Sequence, residues 1–286
     1  MFFTSRLKNL FQKKKCILNI EKSEDIFQLK HAFEKEKIFC LDTEFDWRST
    51  YFPKLSLVQL GFKNEIYILD CLKINPKNIL KEPLESLDYF KIFHAARSDT
   101  TVLNSCLEVK AKNIFDIQIA EKKIGSGDIE SYAKLVSKYM RKNLDKNETN
   151  SNWLKRPLDL NQLNYAAKDV EYLIDIFYMQ KKILNKRGLL KTVLEDSENE
   201  AKLGNQDIKI ARLKKVKRKF TYRQKKMFLW REDTARLENI PPSFLFKDKY
   251  LSKLSMLKED EINLKSKIMK IIGDTKWTEN FISNFF

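Results

Sequence analysis

The apolar run Ile38-Phe39-Cys40-Leu41 ends in Asp42-Thr43-Glu44, two carboxylates two residues apart. In a β-strand, residues i and i+2 point to the same face, so both carboxylates project together from the end of a strand whose other positions suit burial. Folding gains nothing from that arrangement, because paired anions repel each other and resist desolvation. Two readings follow. The pair is either a solvated strand end before a turn, or part of a site for something cationic, most simply a divalent metal.

The chain has 286 residues, 43% of them hydrophobic, enough for one sizeable core and a smaller second domain. Cys16, Cys40, Cys71 and Cys106 are scattered, with no CxxC and only His31 and His94 to partner them, so neither a zinc site nor a disulfide framework is expected. That usage fits a reducing compartment. No apolar stretch reaches the roughly 18 residues of a membrane span. Phe2-Phe3 precede the first basic residues, the reverse of a secretory signal. The expected protein is soluble, intracellular, cytoplasmic and monomeric.

The net charge of +16 is unevenly distributed. Residues 1–16 carry five basic residues and no acid, and residues 201–286 carry 21 Lys or Arg against 10 Asp or Glu, a net of +11. Residues 17–200 are therefore neutral, with 29 residues of each sign. A neutral body with basic extensions suits a protein whose extensions hold a polyanion, although lysine-rich segments also serve as plain solvated surface. The acid-free leader reads as a disordered basic arm, with an organellar targeting peptide as the alternative.

Residues 38–45, 55–62 and 65–70 read as three strands of a meander, the last two joined by the Lys63-Asn64 turn. Residues 78–88 read as a helix, and 91–96 as a short buried strand leading to Asp99, where a helix starting near Thr100 begins. Ile114-Phe115-Asp116 is a fifth strand, with Asp116 as N-cap of the helix that follows. Helical spacing returns over 129–140, a polar loop covers 143–152, and one long helix runs from Asp159 to about Leu184. Residues 187–219 read as a basic connecting region, and 220–286 as a small helical module broken at Pro241-Pro242. The fold class is α/β: a mixed sheet flanked by helices over 17–186, then an all-α module.

Asp169 lies one helical turn after Tyr165, so carboxylate and phenol share a face. If the fourth strand neighbours the first, Asp99 approaches Asp42 and Glu44. Four carboxylates at one sheet edge require cations, and two divalent ions roughly 4 Å apart would activate a water for in-line attack on a phosphodiester. Tyr165, with an ordinary pKa near 10, suits orienting that water better than deprotonating it.

The motifs Leu41-Asp-Thr-Glu-Phe45, Tyr51-Phe-Pro-Lys-Leu-Ser-Leu-Val-Gln-Leu60, His94-Ala-Ala-Arg-Ser-Asp99, Asp145-Lys-Asn-Glu148, Trp153-Leu-Lys-Arg-Pro157 and Tyr165-Ala-Ala-Lys-Asp-Val-Glu-Tyr-Leu173 together resemble the ribonuclease D family, DEDD exonucleases of the Tyr-containing subclass. The resemblance covers about 25–185, with the motifs in family order. It implies a ribonuclease H-like fold and 3′-to-5′ exoribonuclease action with two Mg²⁺ or Mn²⁺ ions. The implied products are 5′-mononucleotides, released from RNA with a free 3′ end, with tRNA precursors as the family substrate. It also implies Asp42, Glu44, Asp99 and Asp169 as metal ligands and Tyr165 as the water-orienting residue. Trp230-Arg-Glu-Asp-Thr-Ala-Arg236 and Asn239-Ile-Pro-Pro-Ser-Phe244 resemble, more weakly, an HRDC domain, a helical nucleic-acid-binding module. Longer family members carry two such modules, and this chain has room for one.

Around these motifs, Arg48 and Lys54 are candidates to meet the RNA backbone or are ordinary surface charge. Tyr51 and Phe52 either stack on the terminal base or pack in a core. Lys146 and Trp153 are expected to position substrate. His94 is expected to be structural, with a place near a substrate phosphate as the alternative, and Gln59 to hydrogen-bond within the site wall. Two other functions remain open: a single-stranded DNA exonuclease of the same fold, and a catalytically silent nucleic-acid-binding protein.

Overall fold

The computed structural model describes residues 15–125, 127–144, 151–216 and 219–286. Lys146, most of the basic leader, the Asp145–Glu148 motif and the pair Lys217-Arg218 lie outside the described residues. The chain divides into two compact units, one built from Met1–Asp46 and Leu55–Gln206, the other from Trp47–Lys54 and Asp207–Phe286.

The first unit holds a six-stranded sheet, with strands β1 (Cys16–Ile20), β2 (Ile38–Asp46), β3 (Lys54–Gly61), β4 (Glu65–Asp70), β5 (Phe90–Phe93) and β6 (Ile114–Asp116). Their spatial order is β1-β4-β3-β2-β5-β6. β3 and β4 pair antiparallel, whereas β1 with β4, β2 with β5, and β5 with β6 run parallel. The expected adjacency of the 38–45 and 91–96 strands is present, and β1 is an additional edge strand where the basic leader was expected to end.

Both faces of the sheet are covered, so alternation along β2 sorts its side chains between two cores. Phe39 and Leu41 join the core built with α1 (Ile26–Lys35), α2 (Lys77–Glu85) and α3 (Arg97–Leu107). Cys40 enters the opposite core with α4 (Ile117–Ile124), α5 (Tyr132–Met140), α6 (Leu160–Glu171) and α7 (Leu173–Lys186). The same alternation sends Asp42 and Glu44 toward the α6 face and Thr43 toward the α3 face.

Two local features hold α6 in place. Asp159 and Gln162 form a reciprocal capping box at its start, satisfying two N–H groups that a helix end leaves open. Gly61 lets it approach the sheet, because a Cβ there would lie 2.5 Å from Cys40 Sγ and 3.0 Å from the Val170 carbonyl.

The expected connector 187–219 is not a separate segment. Its first part is α8 (Leu190–Gly204), which belongs to the first unit. Glu200 accepts two bonds from Arg97 at 2.6 and 2.8 Å, Ser197 Oγ accepts from Asp116 N, and Glu198 accepts from Asn113 N. Gly204 permits the contact with α3, since a Cβ there would stand 2.7 Å from the Arg97 carbonyl. Its second part is α9 (Ile208–Lys215), which belongs to the second unit.

That second unit continues with α10 (Tyr222–Leu237), α11 (Pro242–Leu245), α12 (Leu251–Met256), α13 (Leu264–Ile272) and α14 (Thr275–Phe285). Thr221 and Gln224 cap α10 reciprocally, and Asp274 caps α14. Met227, Phe228, Leu245, Leu254, Ile268 and Phe281 form its core, which also takes Tyr51 from the Trp47–Lys54 segment. Among the described residues, no helix is long and apolar enough to cross a membrane.

Candidate active site

β2 presents Asp42 and Glu44 on the face covered by α6, and α6 presents Asp169 back toward them. One carboxylate oxygen from each of these three residues lies within 4.8 Å of the others. Asp99 comes from the other layer, in the first turn of α3 rather than just before it, close enough for its charge to act on Glu44 and Asp169 and for that of Asp42 to act on it. It is only 4% exposed, and Thr43 Oγ1 donates to its Oδ1 at 2.7 Å. The middle residue of the Asp-Thr-Glu triplet thus ties the α3 carboxylate to the strand that carries the other two.

A second carboxylate shapes the start of α3. Asp116, 1% exposed, accepts from Ala95 N at 3.1 Å, Ala96 N at 2.8 Å and Gln118 N at 2.8 Å. It holds Ala95 at a φ of 61°, which turns the chain from β5 into α3, while capping α4. Its expected role as an N-cap holds, with the anchoring of α3 in addition.

Electrostatically the cluster is under tension. Burial pushes the Asp42 carboxyl well above the usual range, and Asp169 raises it further. Burial, then the charges of Asp42, Asp169 and Asp99, drive Glu44 up to about 10. Asp99 is raised by burial and by Asp42 against the opposing Thr43 hydrogen bond. Asp169 is raised by burial and Asp99 to about 7. Each group resists ionisation because burial strips its charge of solvation and the neighbouring carboxylates repel it. Hard oxygen donors with unmet negative charge at this spacing fit a divalent ion such as Mg²⁺ or Mn²⁺.

The α6 geometry owes something to a residue that sequence reasoning did not single out for the site. α6 and α7 were expected as one helix, but Tyr172 interrupts them. The bond from Tyr172 N to the Lys168 carbonyl would continue an α-helix. Instead the Tyr132 hydroxyl stands between the two, donating to Lys168 O at 3.1 Å and accepting from Tyr172 N at 3.2 Å. Insertion of a side chain into the ladder is a recognised cause of helix bending, and this one flanks Asp169. No spacing in the sequence signals it, and the Thr43 bond to Asp99 was likewise not among the sequence expectations.

Tyr165 lies one turn before Asp169, half-buried, its ring centroid 5.9 Å from that of Trp153. The remaining candidate residues differ in burial and partners. Trp153 is 4% exposed and packs in the core against Tyr165, so it supports the site wall and offers no face to a substrate. Tyr51 is fully buried in the core of the second unit, which removes it as a base-stacking platform. His94 Nε2 lies 3.0 Å from the Glu130 carbonyl, a structural partnership, and burial lowers its pKa, keeping the ring neutral. Gln59 is fully buried, and neither of its amide atoms has a hydrogen-bond partner, contrary to the expected bond within the wall. Arg48 and Lys54 are exposed and belong to the Trp47–Lys54 segment of the second unit.

Comparison with known proteins places this constellation in context. The family described as 3′-5′ exonuclease matches residues 17–185. A ribonuclease D from Desulfotalea psychrophila is 30% identical over 256 residues, covering 84% of this chain and 66% of that protein. A ribonuclease D from Xanthomonas oryzae is 39% identical over 158 residues, covering 55% of this chain and 44% of that protein. The chain thus spans less than two thirds of the length of these curated relatives. Among solved structures, Escherichia coli RNase D superimposes with a TM-score of 0.77 at 23% identity, covering 94% of this chain and 75% of that one. That likeness shows a shared fold. With the match extending over more than half of its length and including all four clustered carboxylates, the chain belongs to the 3′-5′ exonuclease family.

Proposed function

We propose that this chain is a divalent-metal-dependent 3′-5′ exoribonuclease that releases 5′-mononucleotides, with tRNA 3′ ends as its substrate class. The observation that carries the reading is the convergence of Asp42, Glu44 and Asp169 within 4.8 Å, with Asp99 fixed beside them by Thr43. Asp42, Glu44, Asp99 and Asp169 would hold two Mg²⁺ or Mn²⁺ ions. Such ions supply Lewis-acid activation of water and charge neutralisation at the scissile phosphate.

The residues of the chain do the rest. Tyr165, one helical turn before Asp169, would orient the attacking water by hydrogen bonding. In the balanced reaction the water oxygen bonds to phosphorus, the bond to the leaving 3′ oxygen breaks, and that oxygen takes a proton. The neutral charge of residues 17–200 leaves attraction of RNA to the basic remainder of the chain. The 220–286 module, on this reading, is an HRDC-like RNA-gripping domain. Four cysteines outside any disulfide suit the reducing cytoplasm.

The test is incubation of labelled single-stranded RNA and matched DNA with Mg²⁺, Mn²⁺ or EDTA. EDTA-sensitive release of mononucleotides from the RNA 3′ end is expected. Release from DNA alone would transfer the proposal to a DNA exonuclease, and release from neither would leave a binding protein.

A further inference from the structure

The helix that carries Asp99 does not secure its own start. Ala96, at the N-cap of α3, has no side-chain oxygen for the open N–H groups of the first turn. Ala95 before it stands at a φ of 61°, the left-handed region that is costly for a residue with a Cβ. Asp99 is the third residue of this helix, and Thr43 fixes only the end of its side chain. The backbone beneath it has to be held from elsewhere.

α8 supplies that support by two routes. Glu200 accepts from Arg97 Nε and Nη2 at 2.6 and 2.8 Å, and Arg97 opens α3 two residues before Asp99. One turn further along α8, Gly204 lies against the same turn of α3, where a Cβ would stand 2.7 Å from the Arg97 carbonyl and 2.9 Å from Thr100 Cβ. The second route passes through Asp116. Ser197 Oγ, fully buried, accepts from Asp116 N at 3.0 Å, and the Asp116 carboxylate accepts from Ala95 N and Ala96 N, the residues that turn the chain into α3. Ser197, Glu200 and Gly204 fall on one face of α8, with Ala201 filling the core beside them.

We infer that α8 is a positioning element of the metal site: through Ser197, Glu200 and Gly204 it sets the start of α3, and thereby the Asp99 carboxylate, for binding a divalent cation. This inference rests on the metal-site reading proposed above. It extends the machinery of that site to Gly204, past residue 185, where the match to the exonuclease family ends. All three residues act through α3 and not on the cation itself. The Arg97–Glu200 pair separates a positioning device from a mere prop. With side chains 43% and 33% exposed it adds little to stability, whereas its two parallel bonds fix an orientation.

The experiment titrates Mn²⁺ into the full chain, stripped of metal and without RNA, by calorimetry, with the melting temperature measured alongside. Glu200→Gln should weaken Mn²⁺ binding by about threefold to tenfold, and Gly204→Ala, which pushes α8 off α3, by about tenfold or more. The melting temperature of Glu200→Gln should stay within about 3 °C of the parent. Adding Arg97→Gln to Glu200→Gln should weaken binding no further, because the two side chains act as one unit. Lys202→Ala, at an exposed position of the same helix, should bind Mn²⁺ as the parent does. If Gly204→Ala fails to fold, Glu200→Gln decides the matter. A loss smaller than about threefold in Glu200→Gln would reduce α8 to a structural prop and overturn the inference. So would an equal loss in Lys202→Ala, since the effect would then not depend on the contacts with α3. Mononucleotide release by the unsubstituted chain is scored separately. A chain whose Mn²⁺ affinity depends on Glu200 but which cuts no RNA loses the exonuclease reading and keeps the positioning role of α8.

Discussion

Both units bury charge, and they resolve it in opposite ways. In the second, Glu232 is fully buried but meets Arg212 and Arg231 at hydrogen-bonding distance, so the negative charge is matched from within. In the first, Asp42, Glu44, Asp99 and Asp169 are crowded together, Thr43 donates to Asp99, and burial raises all four pKa values. A matched buried charge serves the fold, while a carboxylate cluster with no basic side chain among the charges that shift it opposes folding and suits a site for a cation. The same residue type, carboxylate, thus reads as structure in one unit and as chemistry in the other.

The largest expected effect sharpens that contrast at its catalytic end. Asp42→Asn should lower turnover of labelled RNA by about 10⁴-fold, roughly 5 kcal/mol of transition-state stabilisation. RNA affinity measured in EDTA should stay within about twofold of the parent, because the carboxylate cluster does not attract a polyanion. Turnover within tenfold of the parent would break the assignment. At the structural end, Glu232→Ala removes the carboxylate shared by two guanidinium groups, one of them buried. Chemical denaturation should report a loss of about 3–5 kcal/mol. A loss below about 1 kcal/mol would show that water already screens this pair.

A reversal of sign tests the comparison at intermediate size. Asp169 and Glu44 have folded-state pKa values raised to about 7 and about 10. Stability from a raised carboxyl is fully present below its ordinary value near 4 and is lost as pH rises through the folded value. In EDTA the melting temperature should therefore fall as pH rises from about 5 to 9, and added Mn²⁺ should restore it. Asp169→Asn removes one ionising group, so at about pH 8 in EDTA it should melt a few degrees above the parent while being inactive. Parallel melting curves against pH for parent and variant would end this account of the cluster.

How much of this was legible follows from which forces were local. The triplet Asp42-Thr43-Glu44 and the Tyr165/Asp169 spacing carry their geometry in strand and helix periodicity, so the sequence points to one face for each pair. Adjacency of β2 and β5, which draws Asp99 toward them, required a topological assumption that the sheet order bears out. β1 was missed because its side chains are mostly exposed and it follows a lysine run, leaving its pairing with β4 without a local signature. The attachment of α8 was hidden for a different reason. It depends on Gly204 meeting α3 and on Glu200 reaching Arg97, contacts between residues about 100 positions apart. Tyr51 and Trp153 sit in motif segments, and a motif says that a residue matters without saying whether it faces solvent or a core.

The smallest expected effect probes how the first unit holds the carboxylate that α6 contributes. The Tyr132 hydroxyl takes the place of the backbone bond between Lys168 and Tyr172, just past Asp169. Tyr132→Phe leaves the ring and its packing but withdraws a donor and an acceptor from two main-chain groups. If the ladder stays open, the cost is about 1 kcal/mol of stability. If it closes, α6 and α7 straighten toward a continuous helix, and the Asp169 carboxylate moves relative to β2. A displacement of a fraction of an ångström in a metal ligand is enough to weaken Mn²⁺ binding measured by calorimetry, and a severalfold loss is expected together with a fall in turnover below tenfold. Unchanged Mn²⁺ affinity alongside the 1 kcal/mol loss would make the Tyr132 bond a purely structural plug, and Asp169 would then owe its position to the Asp159 cap and the Gly61 contact alone.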